Sequence, residues 1–234
     1  MTKLFHQIRS THLPIVLLIA VLFCVVVWRD SSLAQKVAVE NLPEPPSATT
    51  QIIMQASDTA FVYRLLLLWL QQFDVQAGQY VSYRNLDYDH LADWLKSLQM
   101  MAPESQYPML MATRIYTKVA DQQRIRQMLD FVHQQFLLDP EKNWRWLAES
   151  TVIARHKLKD LPLALSYAQL LADEPSEIIP FWARDMKLTI LEDMGEFEQV
   201  KLLVGGLLAN KAISDPNELK FLNSLLKRLQ KNNN

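Results

Sequence analysis

The chain has 234 residues, room for one membrane anchor and one domain of ordinary size. Lys and Arg number 24 against 25 Asp and Glu, a net charge of -1, which leaves no basic surplus for a nucleic-acid backbone. Charged residues at 21% and hydrophobic ones at 50% exclude a disordered chain, and the lone Cys24 excludes an internal disulfide or a thiolate metal site. Glycine is scarce, with 4 residues in all, while Leu, Gln, Ala and Met abound. Unbranched side chains keep most of their rotamer freedom in a helix, so the expected fold class is all-α.

Residues 1–12 form a short N-terminal tail carrying Lys3 and Arg9 and no acid. From Ser10 to Trp28 there is no Lys, Arg, Asp or Glu, and as a helix this stretch reaches about 28 Å, close to the ~30 Å hydrocarbon thickness of a bilayer. We read 13–29 as a single transmembrane helix, with Pro14 in its first turn and Trp28 and Arg29 at its far interface. The flanking cations tie at two each, Lys3 and Arg9 against Arg29 and Lys36. The short tail and long following domain then favour a cytoplasmic N-terminus, with the domain on the periplasmic or extracytoplasmic side of the inner (plasma) membrane. A cleavable signal is the competing reading, because Ser32 and Ala34 are small residues of the kind a signal peptidase accepts. The apolar run is long for a signal core, and Arg29-Asp30 crowds the cut, so the anchor is preferred. A lipoprotein site at Cys24 lacks the small residues before it that such a site needs.

Residues 30–56 read as a linker: Leu42-Pro43-Glu44-Pro45-Pro46 favours extended polyproline geometry that would hold a domain off the bilayer, or a plain flexible tether. The apolar stretch 59–73 is short for a second span and is interrupted by Arg64, so it reads as a buried helix. From there, 57–234 is helix punctuated by turns. Pro103 to Pro140 is a step of 37 and Pro140 to Pro175 a step of 35, the period of stacked helical hairpins. Helices are expected at 58–73, 88–101, 107–118, 122–138, 143–158, 161–173, 179–194 and 197–210. An amphipathic closing helix follows Ser214-Asp215-Pro216, with Leu219, Leu222, Leu225, Leu226 and Leu229 on one face. Gly205-Gly206 inside the 197–210 helix is expected to allow a close helix contact or to mark a break.

The turns Met194-Gly195-Glu196-Phe197, Lys159-Asp160-Leu161 and Leu86-Asp87-Tyr88 resemble the Gly-acid-aromatic turn of tetratricopeptide repeats, and Ala164 and Val200 lie 36 residues apart. The resemblance covers most of 58–212, with an insertion at 76–85. It implies an α-solenoid of about four helical hairpins plus a C-terminal capping helix. It is also similar to bacterial envelope proteins in which one helix tethers such repeats as an assembly or chaperone-like accessory.

No nucleophile elbow or glycine-rich phosphate loop is present, so no catalytic residue, cofactor site or metal site is assigned. Met100, Met101, Met109 and Met111 could offer soft thioethers to copper, but Met is also a common core filler. Asp89, His90 and Asp93 form the one local acid–His group, at a helix start where acids favour the dipole. Trp144, Trp146 and Trp182 at helix starts, with Arg155 and Lys157 near a helix end, are the candidate partner-binding residues. Packing for the indoles and dipole compensation for the cations are the simpler readings. The expected function is a non-enzymatic interaction module that binds a protein partner and meets the bilayer only through 13–29. A permanent structural subunit of a membrane complex is the alternative, and a metal-handling or enzymatic domain the remote one.

Overall fold

The computed structural model describes residues 16–27, 42–55, 58–73, 86–209, 213 and 215–231. Among them the chain is all-α, with no strand. Helix α1 covers 16–27 and is exposed along its whole length. The others are α2 (Ala48–Gln55), α3 (Thr59–Gln72), α4 (Tyr88–Met101), α5 (Tyr107–Leu110), α6 (Gln122–Leu138) and α7 (Pro140–Ile153). They continue as α8 (Leu161–Asp173), α9 (Phe181–Arg184), α10 (Met186–Asp193), α11 (Phe197–Ala209) and α12 (Pro216–Lys231). Two helices finish in wider π-wound turns, α5 through Met111–Tyr116 and α7 through Ala154–Leu158. No helix among the described residues is long and apolar enough to cross a membrane. The tail 1–12, both ends of the 13–29 segment, residues 30–41 with Ser32 and Ala34, the 76–85 insertion and Ser214 lie outside the described residues.

Aspartate side chains cap the starts of six of these helices. Asp58, Asp87 and Asp121 each accept two backbone N–H groups of the following turn, and Asp139, Asp160 and Asp215 accept one. Each such cap is worth about 1 kcal/mol against alanine, because it satisfies N–H groups that the helix itself cannot. Stops are equally local. Gly195 takes the left-handed φ of 80°, while its N–H donates to the Glu192 carbonyl and that of Glu196 to Leu191. Those two bonds close the end of α10 in a Schellman turn. Lys159 takes the same left-handed conformation, φ 54°, after Ala154–Leu158.

Packing follows chain order. Each helix from α2 to α4 and from α6 to α12 lies against a sequence neighbour, and α4 also meets α6 while α8 also meets α10. A continuous apolar core runs from Leu42 to Ile190, and a smaller cluster joins Leu188, Leu191, Val200 and Val204 to Leu222, Leu225 and Leu229 of α12. Leu165 packs on both. Polar ties cross the helices at a recurring separation: Arg126 to Asp160, Arg114 to Glu149, Glu141 to Ser176, Glu192 to Arg228 and Asp89 to Gln127 lie 34 to 38 residues apart.

Two expectations need correction. The segment from Leu42 to Pro46 is no free spacer. Leu42 is 1% exposed, its carbonyl accepts the His90 ring Nδ1 at 2.8 Å, and the Pro43 carbonyl accepts the Trp94 indole N–H at 2.8 Å. Prolines leave backbone carbonyls without a helical partner, and α4 supplies the donors. The chain is then helical over Ala48–Gln55, so the packed domain includes at least Leu42 onward. Gly205-Gly206 does not break α11, and among the described residues no neighbour comes close; a Cβ built on either meets nothing of them within 4 Å.

Two outcomes check these corrections. Leu42→Ala should cost about 2–5 kcal/mol in chemical denaturation, the range for a buried leucine; a free linker would make it silent. Gly205→Ala and Gly206→Ala should each stabilise by about 0.5–1 kcal/mol through lower helix-forming entropy cost. Destabilisation by either alanine would restore a close-contact role.

Candidate functional site

Pro180 leads the chain into α9, a single helical turn, and the helix breaks again at Asp185 before α10. The Asp185 N–H donates to the Phe181 carbonyl at 2.8 Å, and the Asp185 carbonyl accepts from Leu188 N–H at 3.0 Å. This tight double turn carries the Asp185 side chain inward, where it is 7% exposed and its Oδ2 has no hydrogen-bond partner among the described residues. Asp185 lines a cleft of about 350 Å³. Phe181, Trp182, Met186 and Ile190 form one apolar side of that cleft, while Phe221 and Asn217 reach it from α12. Arg155 completes it from the turn after α7.

A carboxylate taken out of water without a donor resists ionisation. Burial pushes the Asp185 carboxyl up to about 7, the Glu218 charge on α12 adds to the rise, and Arg184 opposes it. Glu218 is itself raised, first by burial and then by Asp215, against the same arginine. Arg155 does not answer Asp185: its Nε donates to Asp193 Oδ2 at 2.5 Å. Trp182 is 49% exposed at the cleft and meets the Trp144 ring edge-on, centroids 5.6 Å apart, a pair worth about 0.5–1.5 kcal/mol beyond its burial.

The five sequence candidates therefore divide. Arg155 and Trp182 line the cleft, and Trp144 adjoins it through Trp182. Trp146 is buried elsewhere, its indole N–H donating to the Gln106 amide oxygen and its ring lying under Arg114 at 5.7 Å. Lys157 donates its ammonium to the Thr117 carbonyl, capping the end of Met111–Tyr116, as a cation at a helix C-terminus should. Met101, Met109 and Met111 are core residues, whereas Met100 is exposed. His90 holds Leu42, and Asp89 accepts from Gln127, so that local acid–His group is spent on packing. No cluster of three His, Cys, Asp or Glu placed to hold a metal occurs among the described residues.

Asp185 and Phe221 were not singled out from sequence. Asp185 lies mid-way through a stretch that reads as one helix, where an acid is normally solvated, and only the break turns it inward. Two further clefts, of about 320 Å³ each, lie where Pro43 and Pro46 border Trp69 and Trp94, and around Gln99 and Asn143. Comparison with protein-family models, with curated proteins and with solved structures finds no match to this chain.

The buried acid sets a pH dependence. Its folded-state pKa, about 7, lies above the ordinary 3.8. The stability of the neutral form is fully present below about pH 4 and is lost as pH rises through 7. Asp185→Asn should therefore unfold at a higher temperature than the parent at pH 8, an advantage of at least about 1 kcal/mol that shrinks towards pH 4. Melting followed by circular dichroism measures it; a difference unchanged between pH 4 and 8 would contradict the assignment.

Proposed function

We propose that this chain is a membrane-tethered helical array, similar to tetratricopeptide proteins, that holds a partner protein and makes or breaks no bond itself. The observation that carries the reading is the half-exposed Trp182 at a cleft built around a carboxylate whose Oδ2 no described residue engages. Tryptophan, tyrosine and arginine are enriched among the residues that carry most of the binding energy at protein interfaces. A pocket at the small end of the ~300–1,000 Å³ range suits a side chain better than a cofactor.

Support for the array comes from the ties that recur 34 to 38 residues apart and from the two left-handed turns at Lys159 and Gly195, 36 residues apart. Stacked hairpins would repeat their contacts in this way, each unit meeting only its neighbours. Support for the tether comes from α1, whose Val, Leu, Ile and Phe side chains are about half or more exposed over 16–27. A helix with so much bare apolar surface calls for a bilayer around it. In this reading the domain lies on the extracytoplasmic face of the inner membrane.

A permanent structural subunit is favoured by one specific observation. Phe61, Leu65 and Leu68 form an exposed stripe on α3, opposite the buried Tyr63, Leu67 and Leu70, with Ile52 and Ile53 exposed on α2 nearby in sequence. A helix apolar on two faces is one normally covered on both. An enzymatic reading is weaker, because Asp185 is the sole carboxylate among the described cleft-lining residues and no histidine, cysteine or lysine joins it.

In-cell photo-crosslinking tests the module. A photoreactive residue in place of Trp182 should capture a defined protein, and the same residue in place of Glu104, which projects into solvent, should not. Recovery of this chain alone from both positions counts against a partner at the cleft.

A further inference from the structure

The Asp185 cleft combines three features that select for one ligand chemistry. Asp185, more than nine-tenths buried, is one of its lining residues, and its Oδ2 accepts no hydrogen bond from the described residues. Its walls are Phe181, Trp182 and Phe221, with the thioether of Met186 beside them. Arg155, the one cationic residue among the described lining, is already paired with Asp193 at 2.5 Å.

From this geometry we infer that the cleft is a receptor for one basic side chain, a lysine or arginine of the partner protein, whose cation reaches Asp185 while its stem lies along the aromatic wall. The inference rests on the interaction-module reading and names the chemistry that module would recognise. Lysine and arginine both carry apolar stems that cover aromatic surface, and their cations are drawn to indole and phenyl faces. A buried carboxylate that gains a charged donor recovers the hydrogen bond it lost on burial. An anionic ligand would meet the opposite field, since Asp185 and Glu218 outweigh Arg184 and the Arg155 charge is spoken for. A purely apolar ligand would leave the Asp185 oxygen as it is, unpartnered.

The charged groups around Asp185 are Glu218 on α12, Arg184 on α9, and Arg155 from the turn after α7, paired to Asp193 of α10. Cation binding favours the ionised acid, so affinity should rise with pH through about 7 and level off above it. Ionisation on that curve makes binding at pH 8 roughly tenfold or more tighter than at pH 5.5.

The test uses the full chain in detergent micelles, labelled with 5-fluorotryptophan, with the Trp182 resonance assigned by Trp182→Phe. Probes are the N-acetyl methylamides of lysine, arginine, norleucine and glutamate. The lysine and arginine probes should move the Trp182 signal in a saturable way at pH 8, at least about tenfold more weakly at pH 5.5, and not measurably in Asp185→Asn. The norleucine and glutamate probes should leave it in place. An equal response to norleucine would show an apolar cleft, a response to glutamate would reverse the charge assignment, and silence towards all four would end the proposal. Should Asp185→Asn misfold, the pH comparison and the norleucine control on the parent chain decide alone. Capture of a partner from position 182 together with silent cation probes would sink this inference and spare the module. Saturable cation binding with no captured partner would do the reverse.

Discussion

Burial of facing apolar stripes between consecutive helices is the interaction on which everything else in this molecule depends. Its helices are mostly 13 to 17 residues long, for example α6 with 17 and α8 with 13. Isolated helices of that length are marginal in water, so each is stable only where a neighbour covers its apolar face. The core from Leu42 to Ile190 is the sum of those coverings, and its extension to the proline segment shows how far the demand reaches. A residue placed to read as tether becomes core because Trp94 and His90 need acceptors and Leu42 needs cover.

Apolar burial has no direction, and polar groups supply the register. Aspartate caps decide where helices begin, while cross-helix pairs such as Arg126 with Asp160 decide how far one helix slides on the next. Asp160 does both: the Leu163 N–H and then Arg126 hold its carboxyl below the usual carboxylate range. Exposed pairs of this kind add little energy individually, about 0–1 kcal/mol, yet each is satisfied at only one alignment.

The cleft lies at the seam between the two apolar clusters. Ile190 belongs to the main core, Leu188 and Leu191 to the C-terminal one, and Phe221 packs on the latter from α12. Where two cores meet, side chains cannot interdigitate fully, and the break at Asp185 leaves a polar group in the resulting space. A well-packed fold would place an apolar residue there. An acid retained at this position costs stability above neutral pH, and the inferred cation is what would offset that cost.

Local chemistry was legible from the residues alone. The helices at 88–101, 122–138 and 161–173 coincide with the observed α4, α6 and α8, and the Asp215-Pro216 start and Gly195 stop are met in detail. These signals act through the backbone of a few adjacent residues, so no distant contact is needed to read them. Pairings between distant residues were another matter. That Trp146 would be buried while Trp182 stays half exposed, and that Lys157 would cap a carbonyl at Thr117, depend on neighbours 30 or more residues away. The amino-acid order determined an all-α chain with punctuated helices and an apolar stretch of bilayer length; only packing in three dimensions decided which polar groups found partners within the fold and which, Asp185 among them, were left without one beside a cleft.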